Sequence, residues 1–157
     1  MSTMTAKIDA KKRVSVPAAF RAVAGEQGFD GIFVYPAFTE VAIEGGGQTL
    51  IDDIDEMVRR LDPYSAEHNA LAAALFSDSY RLPFDQDGRV ILPEFLLAHA
   101  KIAQDLLFVG MGQKFQIWSP SAFAAWRAQA RNLAQENRGL LRSLRRREPT
   151  GDERGGA

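Results

Sequence analysis

Apolar and polar positions along this chain fall into two rhythms, and the rhythms come in the same order twice. Thr5 to Ile8 alternates as a short strand, Asp9 to Lys12 supplies turn residues, and Arg13 to Val16 alternates again with two valines. Pro17 fits the first position of a helix over Ala18 to Val23, ended near Gly25. Ile32-Phe33-Val34-Tyr35 is a compact apolar strand behind Gly31. Val41-Ala42-Ile43 then resumes extended structure before Gly45-Gly46-Gly47, whose composition reads as a flexible linker. In the second half, Tyr80 to Phe84 leads into a turn at Asp85 to Gly88, and Arg89 to Leu92 forms the next strand. Pro93 opens a helix through about Ala100. Leu106 to Val109 and Phe115 to Trp118 flank Gly110-Met111-Gly112-Gln113, a hairpin loop. Strand, turn, strand, helix, strand, strand: the order is written twice.

Between the copies the period changes to 3.6. Leu50, Ile54, Met57, Val58 and Leu61 lie on one helical face that Pro63 ends, and a second helix is predicted over Ala66 to Phe76. After Trp118, Ser119-Pro120 opens one long helix with Phe123, Trp126, Ala130, Leu133, Leu140 and Leu144 near one face. Residues 148–157 are rich in Pro, Gly and charge and read as a disordered tail.

The two halves share a phrase as well as an order. Asp9-Ala10-Lys11-Lys12-Arg13-Val14-Ser15-Val16-Pro17 returns as Asp85-Gln86-Asp87-Gly88-Arg89-Val90-Ile91-Leu92-Pro93. Both read Asp-x-x-x-Arg-Val-x-apolar-Pro. Two copies are too few for a solenoid and imply a pseudo-symmetric pair of small modules, each half of a core that neither completes alone. Within each phrase the aspartate can accept backbone N–H bonds in the turn, with the arginine packed or paired against it. Alternatively, the two loops present Arg13 and Arg89, with Lys11 and Lys12, to phosphates or base edges, for which a rigid guanidinium fork is suited. The two readings are compatible.

Charge sharpens this picture. The net charge is only −1, but Lys7, Lys11, Lys12, Arg13 and Arg21 gather near the first copy. Asp52, Asp53, Asp55 and Glu56 make the middle acidic, and Arg138, Arg142, Arg145, Arg146 and Arg147 make the end basic. Such local asymmetry steers a polyanion more than the total does. The chain has no cysteine, which removes disulfides, thiolate nucleophiles and Cys-based zinc sites and fits a reducing cytoplasm. It has no apolar run long enough to span a membrane, and Met1 to Ala10 lacks the apolar stretch of a secretory signal.

Other motifs carry less. His68, on an exposed helical face, and His99, at a helix end, belong to no metal-ligand spacing. The triple glycine lacks the Gly-Lys-Ser/Thr ending of a phosphate loop. The acidic run suits a helix first turn rather than an acid/base pair. Trp118 and Trp126 are read as packing in the core or in an oligomer contact. No catalytic residue, metal site, cofactor or small-molecule substrate is expected, and an enzyme is the least favoured class.

The doubled phrase, together with Leu107-Phe108-Val109-Gly110 and Phe115-Gln116-Ile117-Trp118, resembles the MraZ family over about residues 3 to 135. The resemblance implies an α+β fold in which two tandem AbrB-like (SpoVT–AbrB) modules form a pseudo-symmetric swapped-hairpin β-barrel. On that reading module 1 covers 3–47, a helical connector 48–78, module 2 79–122, a C-terminal helix 123–147 and the tail 148–157. It further implies a cytoplasmic, nucleoid-associated regulator, a repressor of its own division and cell-wall gene cluster. Such a protein assembles into a ring and binds repeated promoter sites on double-stranded DNA. Carried onto this chain, the DNA-binding residues are Arg13 and Arg89, with Lys11, Lys12 and Lys7, while Asp9, Asp85 and Gly88 shape the turns. An antitoxin-like, protein-binding use of the same fold is the alternative, with the C-terminal helix and arginines as its contact. One departure stands out: Lys12 occupies the position that Gly88 holds in the second copy. If that position needs φ > 0, lysine is strained there, and the first turn is expected to differ in shape.

Overall fold

The structure, a computed structural model, describes residues 2–25 and 29–147; the expected tail at 148–157 lies outside them. The chain divides into a unit Met1–Ala122 and a second unit Phe123–Ala157. The first unit is α+β. Its elements are β1 (Thr3–Lys7), β2 (Arg13–Ser15), α1 (Ala18–Ala24), β3 (Gly31–Pro36), β4 (Ala42–Gly46), α2 (Gln48–Arg59), α3 (Ala66–Ala72), β5 (Tyr80–Pro83), β6 (Arg89–Ile91), α4 (Glu94–His99), β7 (Asp105–Gly110) and β8 (Phe115–Trp118). Helix α5 (Pro120–Glu136) starts at its end, and α6 (Arg138–Arg147) completes the second unit.

Six strands form one antiparallel sheet in the order β1-β7-β8-β4-β3-β5, and β2 and β6 form a separate ribbon. Exchanging the copies, β1 with β5 and so on through β4 with β8, turns the six-strand order into its own reverse. The fold therefore carries an approximate two-fold axis. The axis passes where equivalent residues face each other, at Val14–Val90 in the ribbon and Glu44–Gln116 in the sheet. Strands also pair across copies: β1 lies on β7, with Thr5 opposite Leu107, and β5 lies on β3, with Arg81 opposite Phe33.

Two cores explain the continuous apolar run of β3. Ile32 and Val34 face one core with Val14, Phe20, Val90, Leu96, Phe108 and Phe115, whereas Phe33 and Tyr35 face another with Leu50, Ile54, Val58 and Leu75. A strand covered on both faces has no reason to alternate. The centre of the larger core is an aromatic trio, with Phe20 5.5 Å from both Phe108 and Phe115 and those two 6.0 Å apart. Trp118 is buried within the sheet.

Several expectations need correction. Gly45 and Gly46 belong to buried strand β4 rather than to a linker, and Gly47 is the N-cap of α2. The reason is close approach: a Cβ on Gly45 would lie 2.6 Å from the ring of Phe115 on neighbouring β8. Pro17 and Pro93 sit one position earlier than expected, as N-caps with extended ψ of 148° and 145°. Helix α2 buries Leu50, Ile54 and Val58 but leaves Met57 exposed. Beyond α3 the expected α-helix loosens into a π-helical turn at Ala73–Ser77. The C-terminal helix is two helices, broken where Asn137 turns its side-chain Nδ2 back to the Leu133 carbonyl at 2.8 Å. In the second unit, Phe123 and Trp126 stack at 6.0 Å. His68 is half-buried in α3 rather than exposed.

Candidate nucleic-acid interface

Each repeated phrase folds into one and the same turn. In the first, Asp9 Oδ1 accepts the backbone N–H of Lys11 and of Arg13, both at 2.9 Å, while Oδ2 accepts Arg13 Nε at 2.8 Å. In the second, Asp85 Oδ1 accepts from Asp87 and Arg89, both at 2.9 Å, and Oδ2 accepts Arg89 Nε at 2.9 Å. The backbone closes identically: Lys12 N–H reaches Asp9 O at 3.0 Å, and Gly88 N–H reaches Asp85 O at 3.1 Å. The Arg13 backbone N–H, and the Arg89 backbone N–H in the second loop, are the main cause that holds each carboxyl below the ordinary aspartate range. Both aspartates are thus anionic at neutral pH. An exposed Asp–Arg pair contributes little by charge alone, so the shape of the turn rests on the backbone bonds.

The expected difference in turn shape is absent. Lys12 has φ 63° and Gly88 φ 72°, so lysine adopts the left-handed conformation that the glycine adopts freely. The cost for an L-residue is about 1–2 kcal/mol. It is met because the surrounding bonds determine the turn, including a second interlock between copies: Leu92 N–H donates to Lys12 O at 2.9 Å, and Val16 N–H to Gly88 O at 3.2 Å.

The ribbon between the loops turns Val14 and Val90 inward and Arg13, Ser15, Arg89 and Ile91 outward. Arg13 stands opposite Ile91, and Ser15 opposite Arg89, so the two arginines lie on one diagonal of a four-residue face. Each arginine side chain keeps 30% of its surface exposed. Because each gives Nε to its aspartate, the guanidinium is held in a fixed orientation relative to its turn. Arg89 Nη2 also meets Asp87 at 3.1 Å, and Lys12 Nζ lies 3.7 Å from Glu94 of α4. Lys11 is exposed at the first turn. Lys7 is not part of this face; it ends β1 opposite Asp105 in the other sheet.

One half-buried residue that the phrase does not contain also reaches a loop. Arg21 of α1 lies over Gly88: a Cβ there would overlap its Nη1 and sit 3.1 Å from its Cζ. Only the clustering of positive charge near the first copy hints at Arg21 in the sequence, and it points to the wrong loop.

Other polar groups are committed elsewhere. Glu44 is buried, which alone would raise its pKa, but Tyr35 Oη at 2.6 Å, Lys114 Nζ at 3.0 Å and Gln116 Nε2 at 3.2 Å donate to it and hold it below the ordinary glutamate range. Burial, and then the bond to Glu44, pushes the Tyr35 hydroxyl far up. This network floors a cavity of about 430 Å³ lined also by Phe38, Met57 and Leu71, where neither group is poised to exchange a proton near neutrality. His99 ends α4 with a buried Nε2. Among the described residues no cluster of His, Asp and Glu could hold a metal ion, and no helix is long and apolar enough to cross a membrane.

Fold and site together define a class: a two-copy α+β protein that sets paired, aspartate-aimed arginines on an exposed antiparallel ribbon. Comparison with known sequences supplies the family. The family described as "MraZ protein, putative antitoxin-like" matches residues 75–143. A relative from Parvibaculum lavamentivorans, named transcriptional regulator MraZ, is 47% identical over 88% of this chain and 87% of its own length. Proteins of the same name from Rickettsia bellii and Beijerinckia indica are 45% and 43% identical, covering 87% and 91% of this chain and 91% and 87% of their own. The chain belongs to the MraZ family.

Proposed function

We propose that this protein is a sequence-specific, DNA-binding transcriptional regulator whose two loops and intervening ribbon meet the duplex. The observation that carries the reading is the matched pair of turns, each using an aspartate to hold a partly exposed arginine. A two-stranded ribbon fits the major groove, where an arginine fork can pair with guanine O6 and N7 while neighbouring cations hold phosphates. The name carried by the relatives, transcriptional regulator MraZ, supports the same reading. Strand pairing across copies is the arrangement that a swapped-hairpin barrel of two AbrB-like modules would need. We extend the reading to a ring-forming repressor of its own division and cell-wall gene cluster, cytoplasmic and nucleoid-associated. A ring would present many loop pairs to repeated promoter sites and multiply weak contacts by effective concentration. The family description's word antitoxin-like points toward the protein-binding alternative, but no matched pair of turns or similar feature among the described residues supports it.

The test is a gel shift with DNA from upstream of the protein's own gene. Arg13→Ala and Arg89→Ala should each weaken binding about 5- to 100-fold, the range of one good arginine–base contact. Circular dichroism and assembly size should not change. Wild-type binding by both variants would remove the loops from the interface.

A further inference from the structure

The two loops have the same shape but opposite charge. Residues 9–13 carry one acid and three bases, whereas residues 85–89 carry two acids and one base. A loop with net negative charge is a poor partner for a phosphate backbone, however well its arginine is aimed. Arg21 changes that balance. Its guanidinium lies over Gly88, the position at which the first loop carries Lys12. No carboxylate among the described residues is paired with it. The equivalent position in the second copy is Leu97, buried in the core, so the first loop receives no such arginine. What reaches the first loop from α4 is Glu94, set against Lys12. One loop therefore bears its own cation, and the other leaves that position bare beneath a cation from the opposite copy.

We infer that Arg21 is a DNA-contacting residue, supplying from α1 the phosphate-binding charge that the second loop lacks. The inference rests on the reading that the loops face DNA. Gly88 then has two tasks: it takes the left-handed conformation without strain, and its missing side chain leaves room for the Arg21 guanidinium.

The experiment measures affinity for the upstream DNA against salt concentration, using the full chain. Arg21→Met keeps much of the packing but removes the charge, and it should flatten the slope of log K against log[salt] by about 0.9, the share of one neutralised phosphate. Arg21→Lys should keep the wild-type slope. Arg21→Met combined with Gly88→Lys should recover it, because Lys12 shows that a lysine fits this turn. Should Arg21→Met melt differently from wild type, Arg21→Gln against Arg21→Lys makes the same comparison. An unchanged slope in the uncharged variants, while Arg13→Ala and Arg89→Ala still weaken binding, would make Arg21 a packing residue and overturn the inference. Wild-type binding by Arg13→Ala and Arg89→Ala would instead overturn the reading beneath it.

Discussion

At the scale of single residues, the molecule's most telling choice is a lysine where glycine would be easier. Lys12 holds φ 63° in a turn that its counterpart, Gly88, makes at 72°. Lys12→Gly should therefore stabilise the fold, by about 1 kcal/mol after the greater chain entropy of glycine offsets part of the relieved strain. The same change removes a cation and should weaken DNA binding. A higher midpoint in urea together with a weaker gel shift would show stability and function pulling apart at one position; an unchanged midpoint would mean that the strain at Lys12 is no larger than the chain-entropy cost of glycine. The doubled phrase makes the loops legible in the sequence, because aspartate and arginine four residues apart can close a turn whatever surrounds them. Arg21 is not legible in that way. It stands outside the phrase on another element, and only the pairing of copies carries it to the second loop.

At the scale of elements, local pattern is a good guide wherever local forces decide. The strand, turn and helix order of both copies follows from alternation, proline and turn residues, and α2 from its 3.6 period. Pattern fails where a partner decides. Three successive glycines resemble a linker, yet β4 runs through two of them because the Phe115 ring occupies the space where a side chain on Gly45 would go. Gly45→Ala should cost about 1–3 kcal/mol, the usual penalty for overpacking a close-packed core. Thermal or urea denaturation would measure it, and a loss below about 0.5 kcal/mol, ordinary for a surface site, would return the segment to linker status. The split between α5 and α6 is likewise hidden from periodicity. Apolar spacing continues from Leu133 to Leu140, while Asn137 bonds back to the preceding turn.

At the scale of the whole molecule, neither copy has a sheet of its own. β1 is held by β7, β5 by β3, and β2 by β6, so removing one half would strip the other of hydrogen-bond partners. In a Trp126→Phe chain, the unit 1–122 should unfold in a single transition, with circular dichroism and the fluorescence of Trp118 giving the same midpoint. Two separated midpoints would show halves that stand alone. The pairing is also hard to read from sequence: a repeat announces symmetry, but not whether a strand's neighbour lies in its own copy or the other. The approximate two-fold axis has one more consequence. In a dimer of identical chains every substitution is made on both sides, so a lysine at the turn would appear in both turns and an arginine over both. Covalent joining releases the halves from that bond, and each can acquire its own chemistry while the common scaffold is kept. Lys12 and Gly88, Arg21 and Leu97, Ser15 and Ile91 are the differences that such freedom permits, and they give the face proposed to meet DNA a direction: the two ends of a site bound there need not be read alike.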